Sequence, residues 1–188
     1  REDLRRLAEN SFQAAFLRFG LQRISNKNAQ GEYYLTDLIS QASRAKKKSE
    51  ILIWEHPQDL RGINDPWELA QARRLMNEAT LKRWSLKGAK IVDPGSTWVD
   101  PSVELAADVT LHPGVILSGR TRIASGATLG PGVILKDVEV GEGAKLKAGT
   151  IAEKSTIGAR AQVGPYAHIR PDSVVGADAK IGNFVELK

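Results

Sequence analysis

An aliphatic residue returns every six positions through the second half of this sequence. Seven such positions form a first run and seven form a last run, with five-residue steps arriving at Val140 and Ile151. The positions are Val99, Leu105, Leu111, Leu117, Ile123, Leu129, Leu135, Val140, Leu146, Ile151, Ile157, Val163, Ile169, Val175, Ile181 and Leu187. A period of six matches neither an α-helix nor the alternation of a strand. It predicts short straight segments, each directing one aliphatic side chain inward.

Small or β-branched residues stand two positions before most of these aliphatic residues, and glycine follows several of them directly. Glycine is a turn residue, and 13 of the 17 glycines lie after Gly88. Three hexads would make a coil of about 18 residues, which is the hexapeptide pattern of a parallel β-helix. Residues one coil apart would stack about 4.8 Å apart on one face. Residues 99–187 therefore predict about five coils.

The chain has 188 residues and no cysteine. A disulfide framework, a thiolate zinc site and a cysteine nucleophile are therefore excluded. The charged amino-terminal segment does not have the pattern of a secretory signal, and no run approaches the roughly 18 apolar residues of a membrane span. We expect a cytoplasmic protein with no membrane partner.

Positive charge is concentrated in the first half of the chain. Residues 1–90 contain 17 of the 27 Lys and Arg residues and 11 of the 22 Asp and Glu residues, whereas residues 91–188 carry a net charge of −1. The densest cluster is Arg44 with Lys46-Lys47-Lys48, at the end of a predicted helix, where cations suit the helix dipole. Proteins that bind single-stranded nucleic acid place aromatic residues among their basic residues. No aromatic residues interleave with this cluster. We expect no nucleic-acid partner.

The first half predicts helices and one strand. Apolar spacing indicates helices over residues 3–19 and 36–47, and the run Ile51-Leu52-Ile53-Trp54 indicates a buried strand. Because one strand cannot make a sheet, we expect further chain before this segment. The inward Leu187 near the end likewise predicts further coils, since a solenoid end needs a polar cap.

The clearest predicted helix runs from Asp65 to Gly88. Asp65 is a suitable N-cap, Pro66 suits the first helical position and Gly88 is a suitable stop. The predicted buried face carries an apolar residue every three or four positions, at Leu69, Ala72, Met76 and Ala79. A long helix between two segments of different composition is interpreted as a connector, although an ordinary domain helix would show the same pattern.

Three motifs, in this order, resemble one bacterial family. They are Asn28-Ala29-Gln30-Gly31-Glu32-Tyr33-Tyr34-Leu35-Thr36-Asp37, then Gly62-Ile63-Asn64-Asp65, then Arg170-Pro171 followed by Gly182-Asn183-Phe184-Val185-Glu186-Leu187-Lys188. The family is the bifunctional N-acetylglucosamine-1-phosphate uridylyltransferase and glucosamine-1-phosphate N-acetyltransferase. The resemblance covers about residues 21–188, and residues 1–20 match nothing in it.

The resemblance implies an α/β fold followed by an all-β fold. Residues 1–64 would be the end of the nucleotidyltransferase α/β domain, and residues 65–88 would be a linker helix. Residues 89–188 would be the first coils of a left-handed parallel β-helix of hexapeptide repeats. The left hand is implied by the resemblance alone, because parallel crossovers are in general right-handed. The family also implies a homotrimer assembled through the β-helix.

The resemblance further implies two reactions that make UDP-N-acetylglucosamine for peptidoglycan and lipopolysaccharide. Acetyl-CoA would first acetylate glucosamine-1-phosphate. UTP would then transfer its uridylyl group to N-acetylglucosamine-1-phosphate with Mg²⁺, releasing pyrophosphate. Two alternatives stay open, namely a non-catalytic β-helical trimerisation module and another sugar-1-phosphate nucleotidyltransferase with a hexapeptide tail.

Five residues match substrate-binding positions of the family. The resemblance assigns Tyr34, Thr36 and Asn64 to the uridylyltransferase site, where the Asn64 carboxamide oxygen would be a hard ligand for Mg²⁺. It assigns Arg170 and Lys188 to the phosphate of the sugar at the acetyltransferase site. Those two are separated by three hexads, which is one coil, so we expect them on one face of the β-helix. An arginine fork beside a lysine charge suits a phosphate.

The resemblance assigns no catalytic residue to this chain. The family's glycine-rich phosphate loop, the aspartate that shares its Mg²⁺ and its histidine base are all absent. His56, His112 and His168 are not substitutes, and only His168 is expected near the cation pair. The chain by itself is therefore expected to perform neither reaction. Tyr166 and Phe184 are also separated by three hexads, which predicts an aromatic stack between adjacent coils.

Overall fold

A computed structural model describes residues 12–50 and 62–188 of the chain. The chain divides into two compact units, Arg1–Asn64 and Asp65–Lys188. The predicted strand at Ile51–Trp54 lies outside the described residues. In the parts that are described, no helix combines the length and the apolar character that crossing a bilayer requires.

Two short helices occupy the described part of the first unit. Helix α1 spans Ala14–Leu21, so it ends two residues beyond the helix predicted over residues 3–19, and helix α2 spans Asp37–Arg44. Gly20 of α1 packs against Leu38 of α2, which is fully buried. A Cβ at Gly20 would overlap the end of the Leu38 side chain, so a larger residue there would require Leu38 to move.

Helix α3 spans Pro66–Leu86 at the start of the second unit. Its predicted cap is confirmed, because the Asp65 carboxylate accepts a hydrogen bond from the backbone N–H of Glu68 at 2.7 Å. Pro66 occupies the first turn, where its missing N–H has no helical partner to lose. The helix ends just before Gly88, whose φ of +98° is the left-handed conformation typical of a helix stop.

Seventeen short strands follow α3 in the second unit. They are β1 (Lys90–Ile91), β2 (Trp98–Val99), β3 (Glu104–Leu105), β4 (Thr110–Leu111), β5 (Ile116–Ser118), β6 (Arg122–Ile123), β7 (Thr128–Leu129), β8 (Ile134–Lys136), β9 (Glu139–Val140), β10 (Lys145–Leu146), β11 (Ile151–Glu153), β12 (Thr156–Ile157), β13 (Gln162–Val163), β14 (His168–Ile169), β15 (Val174–Val175), β16 (Lys180–Ile181) and β17 (Glu186–Leu187).

The strands form three parallel sheets. Sheet A has the order β1-β4-β7-β10-β13-β16, sheet B has the order β17-β14-β11-β8-β5-β2, and sheet C has the order β15-β12-β9-β6-β3. Each strand therefore pairs with the strand three places along the chain, and consecutive strands belong to different sides of a prism. The parallel β-helix predicted from the hexads is confirmed.

The interior of the prism is filled from all three sheets. Large inward residues such as Leu111, Leu129 and Ile169 have no exposed surface, and small residues two positions earlier, such as Val109 and Ala127, are equally buried. These side chains form one continuous core along the coils. Burial of apolar surface contributes about 25 cal/mol per Å², so this core is the main stabilising element of the second unit.

The coils in the middle of the β-helix are shorter than those at its ends. Strand β2 pairs with β5 through Trp98 and Ile116, and β14 pairs with β17 through His168 and Glu186, so both steps comprise three full hexads. Strand β8 pairs with β11 through Ile134 and Ile151, a step that is shorter by a single residue. The two five-residue sides run from Leu135 to Val140 and from Ala152 to Ile157. Both lie between a strand of sheet B and a strand of sheet C.

The structure corrects the predicted inward position of Ile151. Ile151 is 43% exposed, whereas its neighbour Ala152 is 1% exposed. In the register of sheet B, Ala152 pairs with the inward Leu135 and Ile151 pairs with the outward Ile134. The second five-residue step therefore comes after Ala152. The prediction placed Ile151 inward because it is the larger aliphatic residue, but in this coil the smaller Ala152 fills the inward position.

The second half of α3 covers the first coil of the β-helix. Its buried residues are Asn77, Thr80, Leu81 and Trp84. Leu81 and Trp84 belong to the core of the β-helix. The predicted face was wrong, because Met76 is 59% exposed and Leu69 is 41% exposed. The buried face contains the polar residue Asn77, so the spacing of apolar residues did not identify this face.

Asn77 takes the place of a neighbouring strand. Its Nδ2 donates a hydrogen bond to the backbone oxygen of Thr97 at 2.8 Å, and its Oδ1 accepts one from the backbone N–H of Val99 at 2.9 Å. These groups flank Trp98 on the edge of β2 that does not face β5. The carboxamide therefore satisfies the backbone at the end of sheet B, as a paired strand would.

Candidate functional site

The cation pair predicted for phosphate binding lies on sheet B. Arg170 directly follows β14 and Lys188 directly follows β17, and these strands pair in register. The backbone N–H of Arg170 donates to the oxygen of Leu187 at 3.1 Å. Both cationic residues are exposed. The fold brings them to equivalent places on adjacent coils, about 4.8 Å apart across the sheet, as their spacing predicts.

Arg170 is held by an acidic neighbour on the adjacent coil. Its Nη1 lies 3.1 Å from Oε1 of Glu186, and both side chains are about half exposed. A guanidinium has five N–H donors, so one contact directs the group and leaves donors for an anion. An exposed pair of this kind contributes little to stability. The contact with Glu186 therefore orients the Arg170 side chain and adds little to the stability of the fold.

An aromatic stack stands next to this pair. The rings of Tyr166 and Phe184 lie 5.4 Å apart between centroids with their planes at 8°. The stack predicted from their spacing is confirmed. Tyr166 precedes β14 and Phe184 precedes β17, so the stacked rings join the two coils that carry the cations.

The histidines are dispersed over the chain. His56 lies outside the described residues, and His112 follows β4 on sheet A. His168 is the first residue of β14 and pairs in register with Glu186. Only His168 of the described histidines is on the sheet that carries the cation pair, as expected.

Sheet B also carries an exposed apolar ladder that was not predicted from the sequence. The ladder consists of four outward side chains in register, each 38–43% exposed, namely Trp98, Ile116, Ile134 and Ile151. Contiguous exposed apolar surface marks a binding surface. A signal was present in the sequence, because on every third hexad from Trp98 to Ile151 a large apolar residue stands directly before the inward one. The interior of the prism does not require it.

Tyr34 and Thr36 lie in the turn before α2. The Tyr34 hydroxyl donates to Oε1 of Gln30 at 3.0 Å. The Asn28 side chain fixes the preceding segment by accepting hydrogen bonds from the backbone N–H groups of Gln30 and Glu32 at 3.1 and 3.2 Å. Thr36 is the N-cap residue of α2, but its side chain makes no capping hydrogen bond. Its hydroxyl is therefore not committed to the helix.

Asn64 is the last residue of the first unit and is exposed. The following residue, Asp65, is committed to capping α3. Within residues 12–50 and 62–188, no group of three or more His, Asp or Glu side chains could hold a metal ion. Asn64 could thus supply one oxygen to a metal, but the described residues do not form a metal site by themselves.

Shifted pKa values belong to contacts that hold the β-helix together. Hydrogen bonds from the Ser96 hydroxyl and the Gly95 backbone N–H lower the pKa of Asp93, which fixes the loop between β1 and β2. Arg160 lowers the pKa of Asp178 through two hydrogen bonds of 2.7 and 2.6 Å, and the pKa of Arg160 rises in turn. This second contact joins successive coils. These shifts therefore indicate no reaction centre.

The chain is similar to known proteins over nearly its whole length. A family model described as the GMPPB C-terminal domain matches residues 94–188. Bifunctional protein GlmU of Kineococcus radiotolerans is 48% identical over 178 residues, which are 95% of this chain and 36% of that protein. Bifunctional protein GlmU of Corynebacterium jeikeium is 45% identical with the same shares. The chain thus spans about a third of the length of these relatives.

The similarity reaches further toward the start of the chain than predicted. Coverage of 95% over 178 residues leaves about ten of the 188 residues unmatched. Part of residues 1–20 is therefore matched as well.

Among solved structures, PerB from Caulobacter crescentus in complex with CoA and GDP-perosamine is 24% identical, covers 61% of this chain and 61% of that chain, and has a TM-score of 0.24.

Proposed function

We propose, from the premise that this chain belongs to the GMPPB C-terminal domain family, that it is part of a bifunctional enzyme making UDP-N-acetylglucosamine. The proposed first reaction transfers the acetyl group of acetyl-CoA to glucosamine-1-phosphate. The proposed second reaction transfers a uridylyl group from UTP to N-acetylglucosamine-1-phosphate and releases pyrophosphate. Both reactions are proposed for a protein of the relatives' full length that carries this sequence.

The named relatives favour this function over the alternatives. The predicted resemblance to the bifunctional family is confirmed, because relatives 39–48% identical over 95% of the chain carry the name Bifunctional protein GlmU. Their match includes α3 and most of the residues before it, whereas the family model starts at residue 94. A sugar-1-phosphate nucleotidyltransferase with only a hexapeptide tail in common would not require that longer match.

The observation that carries the proposal is the register of Arg170 with Lys188. Two cations on adjacent strands of one sheet repel each other, and a bound phosphate removes the repulsion. Glu186 directs the Arg170 guanidinium from one side. The guanidinium can then donate two hydrogen bonds to phosphate oxygens while Lys188 adds a point charge. These residues would bind and orient the acetyl acceptor, whose chemistry requires groups outside this chain.

For uridylyl transfer, the proposed contributions are Tyr34, Thr36 and Asn64. The Thr36 hydroxyl makes no capping hydrogen bond, which leaves it able to contact a sugar phosphate. The Tyr34 hydroxyl is held by Gln30, which lies in a segment fixed by the Asn28 side chain. Mg²⁺, when bound, would neutralise charge on the transferring phosphates. Asn64 would contribute one of its oxygen ligands.

The test is a crossed experiment on the full-length protein. Replacing Arg170 with alanine should lower kcat/KM for acetyl transfer by about 10- to 100-fold, because a charge-assisted hydrogen bond contributes about 1.5–3 kcal/mol. Uridylyl transfer should not change. Replacing Asn64 with alanine should lower uridylyl transfer and leave acetyl transfer intact. Each variant is the control for the other.

Three results would overturn the assignment. Unchanged acetyl transfer in the Arg170→Ala variant would show that Arg170 and Lys188 are ordinary surface charges. Equal loss of both activities in either variant would indicate a folding defect. Absence of acetyl transfer from the unaltered protein would favour the other nucleotidyltransferase, or the non-catalytic module if uridylyl transfer is absent too.

We also propose that three copies assemble through sheet B. The apolar ladder of Trp98, Ile116, Ile134 and Ile151 exposes hydrophobic surface along four coils. Covering it removes apolar area from water, which is the main driving force for association. The cation pair lies on the same sheet, so assembly would place a neighbouring copy close to the proposed acetyltransferase site.

Replacing Ile134 with lysine should dissociate the trimer. Ile134 lies in the middle of the ladder, and a buried ammonium without a partner is costly. Sedimentation velocity at micromolar concentration should give a threefold lower mass than for the unaltered protein. Val174→Lys is the matched control, because Val174 is an exposed aliphatic residue on sheet C. A monomeric unaltered protein, or an effect of the control as large as that of Ile134→Lys, would contradict the proposal.

A further inference from the structure

Three lysines on sheet A, or directly after one of its strands, have no acidic partner in the part of the chain that the structure describes. Lys145 of β10 and Lys180 of β16 flank Gln162 of β13 in register, and Lys147 lies two residues after Lys145. No ion pair joins any of the three to another described residue. Arg120, Lys154 and Lys188 have no such pair either, whereas five other cations of the β-helix pair with an acid on an adjacent coil, namely in Lys90–Asp108, Arg122–Glu104, Lys136–Glu153, Arg160–Asp178 and Arg170–Glu186.

A depression of about 280 Å³ lies on this part of sheet A. Its lining residues include Lys147, Lys180, Gln162 and Asn183, and no acidic residue. An ammonium group offers three donors and a carboxamide offers two. Every polar side chain of the lining can therefore donate a hydrogen bond.

The depression is built into the backbone. Gly164 is the register neighbour of Lys147 on the next coil, because Leu146 pairs with Val163 one residue earlier. Its φ is +88°, and a Cβ there would overlap the Thr150 hydroxyl. Such a conformation is accessible to glycine and strained for other residues. The lining beside Lys147 therefore depends on glycine at position 164.

We propose that this depression binds a small anion carrying two phosphoryl groups. Lys147 and Lys180 both line the depression, and they lie on coils two strand spacings apart, about 9–10 Å between backbones, a distance that two lysine side chains can close around one diphosphate. The anion would offset the mutual repulsion of the three ammonium groups. The amides of Gln162 and Asn183 would donate to its remaining oxygens.

This site differs from the one proposed for acetyl transfer. It lies on sheet A, whereas Arg170 and Lys188 follow strands of sheet B. It includes no residue assigned to either proposed reaction. Its test is therefore independent of the proposed function.

Isothermal titration calorimetry with inorganic pyrophosphate, without divalent cations and at constant ionic strength, tests the proposal. The unaltered chain should bind one pyrophosphate per copy and should bind inorganic phosphate more weakly. Replacing both Lys147 and Lys180 with alanine should weaken pyrophosphate binding at least tenfold. A variant with Lys82→Ala and Arg120→Ala removes two exposed cations elsewhere in the same unit and should bind like the unaltered chain.

A second variant adds one negative charge instead of removing two positive charges. Replacing Gln162 with glutamate supplies the missing acid between Lys145 and Lys180, so it should abolish pyrophosphate binding while circular dichroism shows a folded β-helix. Absence of binding to the unaltered chain would overturn the proposal. Equal weakening in the two double variants would also overturn it, because it would show attraction to overall charge and not to a site.

Discussion

Replacing Ala152 with aspartate should unfold the β-helix. Ala152 points into the interior beside Leu135 and is 1% exposed. A carboxylate there loses its hydration without gaining a cation, and the larger side chain also exceeds the available space. The free energy of unfolding should fall on the order of 4 kcal/mol or more, the range of an uncompensated buried charge. Urea unfolding followed by circular dichroism at a fixed protein concentration measures it.

The same replacement at the preceding residue is the matched control. Ile151 is 43% exposed on the outer side of sheet B. Ile151→Asp should change the free energy of unfolding of the single chain by less than about 1 kcal/mol. It should nevertheless weaken the proposed assembly, because it places a charge in the apolar ladder. If Ile151→Asp destabilised the fold more than Ala152→Asp, the inward direction assigned to Ala152 would be wrong.

Replacing Asn77 with alanine should lower the free energy of unfolding of the second unit by about 2–4 kcal/mol. The change leaves the Thr97 oxygen and the Val99 N–H without their partner, and each buried unsatisfied group costs about 1–3 kcal/mol. Alanine is the better helix former by a fraction of a kcal/mol, which offsets a small part of this loss. Urea unfolding at a fixed protein concentration gives the value.

Arg74 provides the control on the same helix. Its side chain is 67% exposed and contacts only Glu78 among the ion pairs of the described residues, at 3.4 Å. Exposed pairs one turn apart contribute about 0.3–0.5 kcal/mol, so Arg74→Ala should have a small effect. A loss for Asn77→Ala no larger than for Arg74→Ala would show that the carboxamide does not replace a strand.

The coil architecture could be predicted from the sequence because geometry enforces it. One inward side chain per side of a three-sided coil imposes a period of six, and several turns between sides favour glycine because they need a positive φ. The register of Arg170 with Lys188 followed from the same arithmetic, since residues one coil apart must stack. The stack of Tyr166 on Phe184 followed for the same reason. Each of these depends only on positions along the repeat.

Predictions based on residue size or apolarity were less successful. Ile151 is larger than Ala152, yet backbone pairing with β8 decides which one points inward. Met76 is more apolar than Asn77, yet Asn77 is buried because its carboxamide pairs with the edge of β2. In both places the deciding partner lies far away in sequence, and a local pattern cannot reveal it.

The outer faces were the least predictable part of the molecule. The hexad pattern constrains inward residues and turns but leaves outward residues free. The Arg170–Glu186 contact, the apolar ladder and the lysines around Gln162 all depend on which outward side chains meet across coils. They became visible only once the register was known, including the shortening of the middle coils.

The two shortened sides have a consequence for how this sequence can change in length. Each is shorter in the turn between sheet B and sheet C, where Asp137 and Lys154 adopt positive φ values of 54° and 42°. The strands of all three sheets nevertheless remain paired in register on both sides of these turns. The loss of one residue at this edge is therefore absorbed within a single turn. The spacing of the repeat along the sequence can change here while every inward side chain still points into the prism.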